Sequence, residues 1–234
     1  MIDDQEKTKL LIQKFLGKEI LSFELKGKGA CNNAYYVETN DGKRYIIKEE
    51  RSDKETDEQN DLAVEGKLIQ NLSGLGLSIP LPKIVFVSKN PKIYGYEYIE
   101  GDMLSGLWKS LSEKEKICIF RSLGLFHAEL GEKFTKKMSE ASGIEINMSP
   151  GLHPEVVKEY ERLVIDDKVP KKYRDLVQHA KEIFEGTFDK VVFQFIHNDA
   201  HHENVLIKDK KISGIIDFGN AEYGELAKEF SRYI

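Results

Sequence analysis

The residues of this 234-residue chain best suited to act together in chemistry lie between His197 and Gly219. His197-Asn198-Asp199-Ala200-His201-His202-Glu203-Asn204 has the form H-x-D-x-x-x-x-N, and Asp217-Phe218-Gly219 begins eighteen residues after Asp199. A carboxylate at the head of such a loop can accept or orient the proton of an attacking hydroxyl. An amide oxygen five residues on and a carboxylate across a hairpin are hard oxygen donors, able to hold magnesium against phosphate oxygens. Phosphoryl transfer asks for little else than an aligned acceptor and neutralised phosphate charge. One short loop of this kind arises often by chance. The pair, joined by a hairpin and preceded by the apolar run at 191–196, is far more specific.

Upstream residues fit the same chemistry in a consistent order. Lys48 ends the strand-like run Tyr45-Ile46-Ile47-Lys48, where its ammonium could reach the α- and β-phosphates of a nucleotide. Glu65 on the following helix could pair with it. Each residue alone would read as a surface group. Gly27 and Gly29, in Gly27-Lys28-Gly29-Ala30-Cys31-Asn32-Asn33, could let backbone drape over phosphates, though a hairpin turn explains both equally well. No G-x-x-x-x-G-K-[ST] occurs, which argues against a P-loop fold.

These groups must be positioned by the surrounding elements. Apolar spacing predicts a helix over 4–17, then strands at 20–25, 34–39 and 44–48, the last two joined by Asn40-Asp41-Gly42. A charged stretch at 49–61 reads as a solvated loop before a helix with Leu62, Leu68, Ile69 and Leu72 on its apolar side. Two further strands, 83–88 and 93–99, flank Asn90-Pro91, and Gly101 is the candidate hinge. Beyond it the pattern turns helical. Ser112-x-x-Glu115 is a capping box before an apolar-periodic helix, and helices follow at 154–165 and 171–186 around Pro170. Segments 204–208 and 211–217 form a hairpin over Asp209-Lys210. The expected fold is α+β and bilobal. Residues 1–100 form an N-terminal lobe with a five-stranded antiparallel sheet plus a helix, and residues 101–234 a mainly helical lobe with a small β-hairpin.

Composition narrows the function classes. Apolar residues make up 40% and charged residues 32%, a balance that suits a folded soluble chain rather than a disordered one. Lys and Arg number 35 against 40 Asp and Glu, so the basic face of a nucleic-acid binder is not expected. Cys31 and Cys118 are far apart and lack metal-ligand spacing, which fits free thiols in a reducing compartment. The acidic start Met1-Ile2-Asp3-Asp4 is unlike a signal peptide, and no apolar run is long enough to span a membrane. The expected location is the cytoplasm.

The segments Phe195-Ile196-His197-Asn198-Asp199, Asn204-Val205-Leu206 and Gly214-Ile215-Ile216-Asp217-Phe218-Gly219-Asn220-Ala221 resemble the aminoglycoside phosphotransferase and choline kinase family, which has a protein-kinase-like fold. Tyr98-Ile99-Glu100-Gly101 is similar to that family's hinge, and residues 123–130 to a helix that packs behind its catalytic loop. The resemblance implies Asp199 as catalytic base, Asn204 and Asp217 as Mg2+ ligands, and Lys48, partnered by Glu65, as phosphate contact. It also implies that Glu97, Tyr98 and Ile99 meet the base of ATP or GTP. Three departures stand out. Asn220 follows Asp217-Phe218-Gly219 where many relatives have Asp. The usual G-D-P-x-x-D reads Gly224-Glu225-Leu226-Ala227-Lys228-Glu229. Relatives usually continue for several helices beyond Ile234, so the expectation is either a second lobe cut short, as part of a longer protein, or an unusually open acceptor pocket.

The implied function is transfer of the γ-phosphate of a magnesium nucleotide to a hydroxyl of an aminoglycoside antibiotic. Glu155, Glu159, Glu161, Asp166, Asp167, Glu222 and Glu225 are acidic groups that could face a polycation, or simply solvate helices. Choline, ethanolamine, homoserine or a sugar remain open as acceptors, because one fold serves them all. An inert nucleotide-binding module is a further alternative. So is a metallohydrolase built on His197, Asp199, His201 and His202, although their spacing differs from zinc hydrolase motifs.

Overall fold

A computed structural model describes residues 4–29, 31–51, 61–148, 162, 165, 168–187 and 193–230. After helix α1 (Asp4–Leu16), the chain forms β1 (Ile20–Lys28), β2 (Asn32–Thr39) and β3 (Arg44–Glu50). Helix α2 (Leu62–Ser73) leads to β4 (Ile84–Lys89) and β5 (Lys92–Glu97). The five strands make one antiparallel sheet in the order β1-β2-β3-β5-β4, as expected. Asp61 caps α2, its side chain accepting the Ala63 N–H at 2.9 Å.

Strand alternation decides what this sheet presents to each side. Tyr45 and Ile47 of β3 and Ile93 of β5 face α1, where they pack with Ile12, and Phe15 stacks on Phe86 at 4.7 Å. The intervening residues turn the other way. Ile46, Tyr94 and Tyr96 join Leu68, Ile69 and Leu72 of α2, and Lys48 points to the same side. That second core continues into the helical half of the molecule through Leu123, Phe126 and Leu130. Each fully buried side chain of this size contributes roughly 1.5–3 kcal/mol.

Beyond β5 come β6 (Asp102–Met103), the short α3 (Leu104–Leu107) and a 3-10 turn at Trp108–Ser110. Helix α4 (Glu113–Lys133) carries the expected capping box, with the Ser112 N–H donating to Glu115 Oε2 at 2.8 Å. Next are α5 (Lys136–Ala141), α6 (Lys171–Thr187), β7 (Phe193–Ile196), β8 (Val205–Lys208), β9 (Lys211–Ile215), β10 (Glu222–Glu225) and α7 (Leu226–Phe230). Asp209 and Lys210 turn β8 into β9 with φ of 50° and 62°, the geometry a two-residue hairpin requires. Most of the stretch expected as a solvated loop at 49–61, and of the helix expected at 154–165, lies outside the described residues.

Gly101 is needed at its position rather than merely tolerated. Its φ is 142°, and a Cβ there would lie 2.6 Å from Ser213 Oγ and 2.8 Å from the Ile207 carbonyl oxygen. The chain leaving the sheet is thus pressed against the β8–β9 hairpin, and β6 pairs with β8 directly afterwards.

Candidate active site

Two strand pairings pin the loops that carry the chemistry. In β7–β10, Ile196 lies opposite Glu222, and in β8–β9, Val205 lies opposite Ile215. The loop 197–204 and the loop 216–221 are therefore held side by side at both ends. The Ile216 N–H donates to the Asn204 carbonyl at 3.0 Å, a further stitch between them. His197 adds another from within the core. Its Nδ1 accepts the Asp199 N–H at 3.2 Å, which leaves the proton on Nε2 to donate to the Ile216 carbonyl at 3.0 Å. Burial pushes the imidazole down to about 4, so the ring is neutral and this tautomer is retained.

Asp199 sits among amides. Asn204 Nδ2 donates to the Asp199 carbonyl at 2.8 Å and lies 3.4 Å from Oδ2, while Asn220 Nδ2 is 3.3 Å from the same Oδ2. His201 Nε2 approaches the other oxygen, Oδ1, at 3.7 Å. With its NH2 group turned to Asp199, Asn204 has its amide oxygen left over for a ligand.

Lys48, Glu65 and Asp217 meet on the cleft side of the sheet. Lys48 Nζ is 3.2 Å from Glu65 Oε1 and 2.9 Å from Asp217 Oδ1. Glu65 is 3% exposed, and the same Oε1 accepts the Phe218 N–H at 3.1 Å. One carboxylate on α2 thus links β3 to the 216–221 loop. Burial alone would lower the Lys48 ammonium, but the Glu65 and Asp217 carboxylates outweigh it and hold it above its ordinary value. Burial would raise Asp217, and Lys48 reverses that to leave it below the usual carboxylate range. Asp217 has a φ of 68°, in the left-handed region that non-glycine residues rarely adopt.

Of the residues expected to meet a nucleotide, Gly27 and Gly29 lie at one end of the sheet and Glu97, opposite Tyr45, at the other. Gly27 lies within β1 opposite Ala34, and the Gly29 N–H donates to the Asn32 carbonyl at 2.9 Å, closing the β1–β2 hairpin. The Arg51 guanidinium donates to the Gly29 carbonyl at 2.7 Å. At the end of β5 the Glu97 N–H donates to the Lys83 carbonyl, and just beyond it the Tyr98 N–H donates to the Arg44 carbonyl. Both N–H groups are committed to backbone carbonyls. Ile99 packs over Gly214 of the β9 hairpin.

Several contributors escaped the sequence reading. Glu229 on α7 is fully buried and accepts the Asn198 N–H at 2.7 Å, with the His197 and Ala200 amides also directed at it. His127 of α4 stands 3.9 Å away, and burial pushes its imidazole down to about 3. Glu229 occupies the last position of Gly224-Glu225-Leu226-Ala227-Lys228-Glu229, and that motif was its only signal. Among the acidic residues suggested for a polycationic acceptor, Glu222 is buried and paired with Lys228 at 2.6 Å. Glu155, Glu159, Glu161, Asp166 and Asp167 lie outside the described residues.

Two metal chemistries can be weighed on this geometry. Asn204 and Asp217 offer hard oxygen donors, and the pinned Asn204 NH2 group leaves its oxygen available, which fits magnesium. A zinc site does not fit, because both ring nitrogens of His197 are engaged within the core. Among the described residues no group of three or more His, Cys, Asp or Glu side chains is arranged to hold a metal ion. No helix among them is long and apolar enough to cross a membrane.

Known structures share this architecture. The streptomycin–ATP ternary complex of APH(2")-IIa superposes with a TM-score of 0.67 at 19% identity, covering 98% of this chain and 75% of that one. The GDP complex of aminoglycoside 2'-phosphotransferase-IIIa gives 0.68 at 20% identity, covering 94% and 74%. A macrolide 2'-phosphotransferase from Brachybacterium faecium gives 0.65 at 19% identity, covering 97% and 75%. Likeness at these identities establishes the fold, a protein-kinase-like one. No match is found among curated proteins. The sequence model of the Phosphotransferase enzyme family matches residues 23–234, and the chain belongs to that family.

Proposed function

We propose that this phosphotransferase moves the γ-phosphate of ATP or GTP to a hydroxyl of an aminoglycoside. The carrying observation is that two adjacent loops bring together Lys48 and Asp217, 2.9 Å apart, and Asn204 and the Asp199 carbonyl, 2.8 Å apart, with the Ile216 N–H bonded to the Asn204 carbonyl between them. Residues 1–100 serve as the nucleotide lobe and 101–234 as the catalytic lobe. The aminoglycoside assignment draws on the neighbours, solved with streptomycin, gentamicin or kanamycin.

In this reading Lys48 contacts the nucleotide phosphates, kept cationic by Glu65. Asn204 and Asp217 would hold magnesium, which when bound neutralises phosphate charge. Asp199 orients the acceptor hydroxyl for in-line attack and takes its proton as the new oxygen–phosphorus bond forms and the bond to the β-phosphate oxygen breaks. A positioned base of this kind is worth roughly 10²–10⁴ in rate.

The test is phosphate transfer from radiolabelled ATP and GTP, with magnesium, to kanamycin, gentamicin, streptomycin and a macrolide, alongside choline, ethanolamine, homoserine and a sugar. Aminoglycoside-dependent turnover is expected. Turnover with a metabolite or a macrolide alone would reject the aminoglycoside assignment and keep the reaction. Saturable nucleotide binding without turnover on any acceptor would favour an inert binding module.

A further inference from the structure

The residue just before the candidate base carries an unexplained burden. Asn198 has a φ of 60°, a conformation glycine adopts freely and other residues reach at a cost. It is 8% exposed, and its side-chain Oδ1 is buried without a hydrogen-bond partner among the described residues. A stranded polar atom destabilises a fold and calls for a reason. Glycine here would relieve both the strain and the stranded oxygen while keeping the backbone N–H that Glu229 binds.

What glycine could not supply is the other half of the amide. Asn198 Nδ2 donates to the carbonyl of Asn220 at 3.2 Å, and the side chain of Asn220 in turn places its Nδ2 3.3 Å from Asp199 Oδ2. The two bonds act in series. The first fixes the backbone of residue 220 against the loop 197–204, and the second uses that fixed point to engage one oxygen of Asp199. Asn204 Nδ2, at 3.4 Å, approaches the same oxygen. Oδ2 thus collects amide donors, and among the described residues Oδ1 faces the more distant His201.

We propose that Asn198 and Asn220 form a positioning pair that locks the Asp199 carboxylate, leaving Oδ1 as the oxygen presented to the acceptor hydroxyl. Neither residue is a catalytic residue in this scheme. Both act through Asp199, so the inference rests on Asp199 being the base. It also gives a role to Asn220, which departs from the family pattern.

The experiment compares Asn198→Gly, Asn220→Ala, their double variant and Asp199→Asn in the full chain. Turnover is read with kanamycin as acceptor and, independently of acceptor, as phosphate release from magnesium-ATP. Nucleotide affinity, melting temperature and hydrogen exchange of the 197–204 segment are read in parallel. Each single variant should lower kcat about 10- to 100-fold with nucleotide affinity unchanged, and Asn198→Gly should melt no lower than wild type. Exchange should quicken in 197–204 and not in the sheet. Because the bonds act in series, the double variant should be no worse than the worse single one. Wild-type kcat and exchange in either single variant would overturn the pair, as would losses that simply multiply. A purely structural role would instead lower melting temperature and nucleotide affinity together, which also overturns it. Wild-type turnover in Asp199→Asn would refute the base assignment itself, a result separate from failure of the pair.

Discussion

Replacing Glu65 by alanine should loosen the molecule and the nucleotide site together, and the geometry sets the size of the effect. One oxygen, Oε1, holds both Lys48 Nζ at 3.2 Å and the Phe218 N–H at 3.1 Å. Loss of a charge-assisted bond costs about 1.5–3 kcal/mol, and stranding a buried N–H about 1–3 kcal/mol. The low ends apply, because Asp217 still compensates the Lys48 charge at 2.9 Å. The sum is about 2.5 kcal/mol, or roughly 5–10 °C in melting temperature for a chain of this size. Glu65→Gln keeps an acceptor at Oε1 and loses only the charge, about 1 kcal/mol. Without Glu65, Lys48 is drawn to Asp217 alone, which should weaken magnesium-ATP binding about tenfold, or about 1.4 kcal/mol. Thermal melts followed by circular dichroism and calorimetric titration with magnesium-ATP read both effects. An alanine variant that melts within about 2 °C of wild type, or a glutamine variant worse than alanine, would refute this account of Glu65.

Asp217→Asn should weaken nucleotide binding in the presence of magnesium and leave magnesium-free binding little changed; equal loss in both titrations would count against Asp217 as a metal ligand. His127 and His197 are held down to about 3 and about 4 by burial, below the ordinary histidine value of 6.5. The unfolded chain therefore takes up protons that the folded chain refuses. Their contribution is intact above pH 6.5 and is lost as pH falls from there toward about 4, at about 1.4 kcal/mol per pH unit for each histidine. Urea midpoints across that range should show the slope, and His127→Gln should reduce it. Gly95→Ala would set a Cβ 2.6 Å from both Ile47 Cδ1 and Phe86 Cε1, overpacking the α1 side of the sheet. A destabilisation of about 1–3 kcal/mol is expected, read as a lower melting temperature.

Much of the scaffold was legible because its signals are local. The alternation around Tyr45-Ile46-Ile47-Lys48, the Ser112–Glu115 capping box and the Asp209-Lys210 turn each follow from a few adjacent residues, and each is present in the structure. Strands β6 and β10 and helices α3, α5 and α7 were missed. None exceeds six residues, too short for a period to register. The short strands exist because partners elsewhere hold them, β6 on β8 and β10 on β7.

The same division runs through the site. The sequence by itself singled out the groups proposed to take part: Asp199, Asn204, Asp217, Lys48 and Glu65 stand in an order and spacing that few chemistries require. Only the tertiary structure decided that the Asp199 loop is gripped by Glu229, that His197 bridges it to Ile216, and that Asn198 and Asn220 close around the Asp199 carboxylate. Those contacts join residues nineteen to thirty-one positions apart, through polar side chains whose local sequence gives no period and whose partners are mostly backbone atoms. A backbone acceptor is the same in every residue. Its choice of donor is therefore fixed by where the pairing of β7 with β10 and of β8 with β9 brings the loops, not by any residue type along the chain.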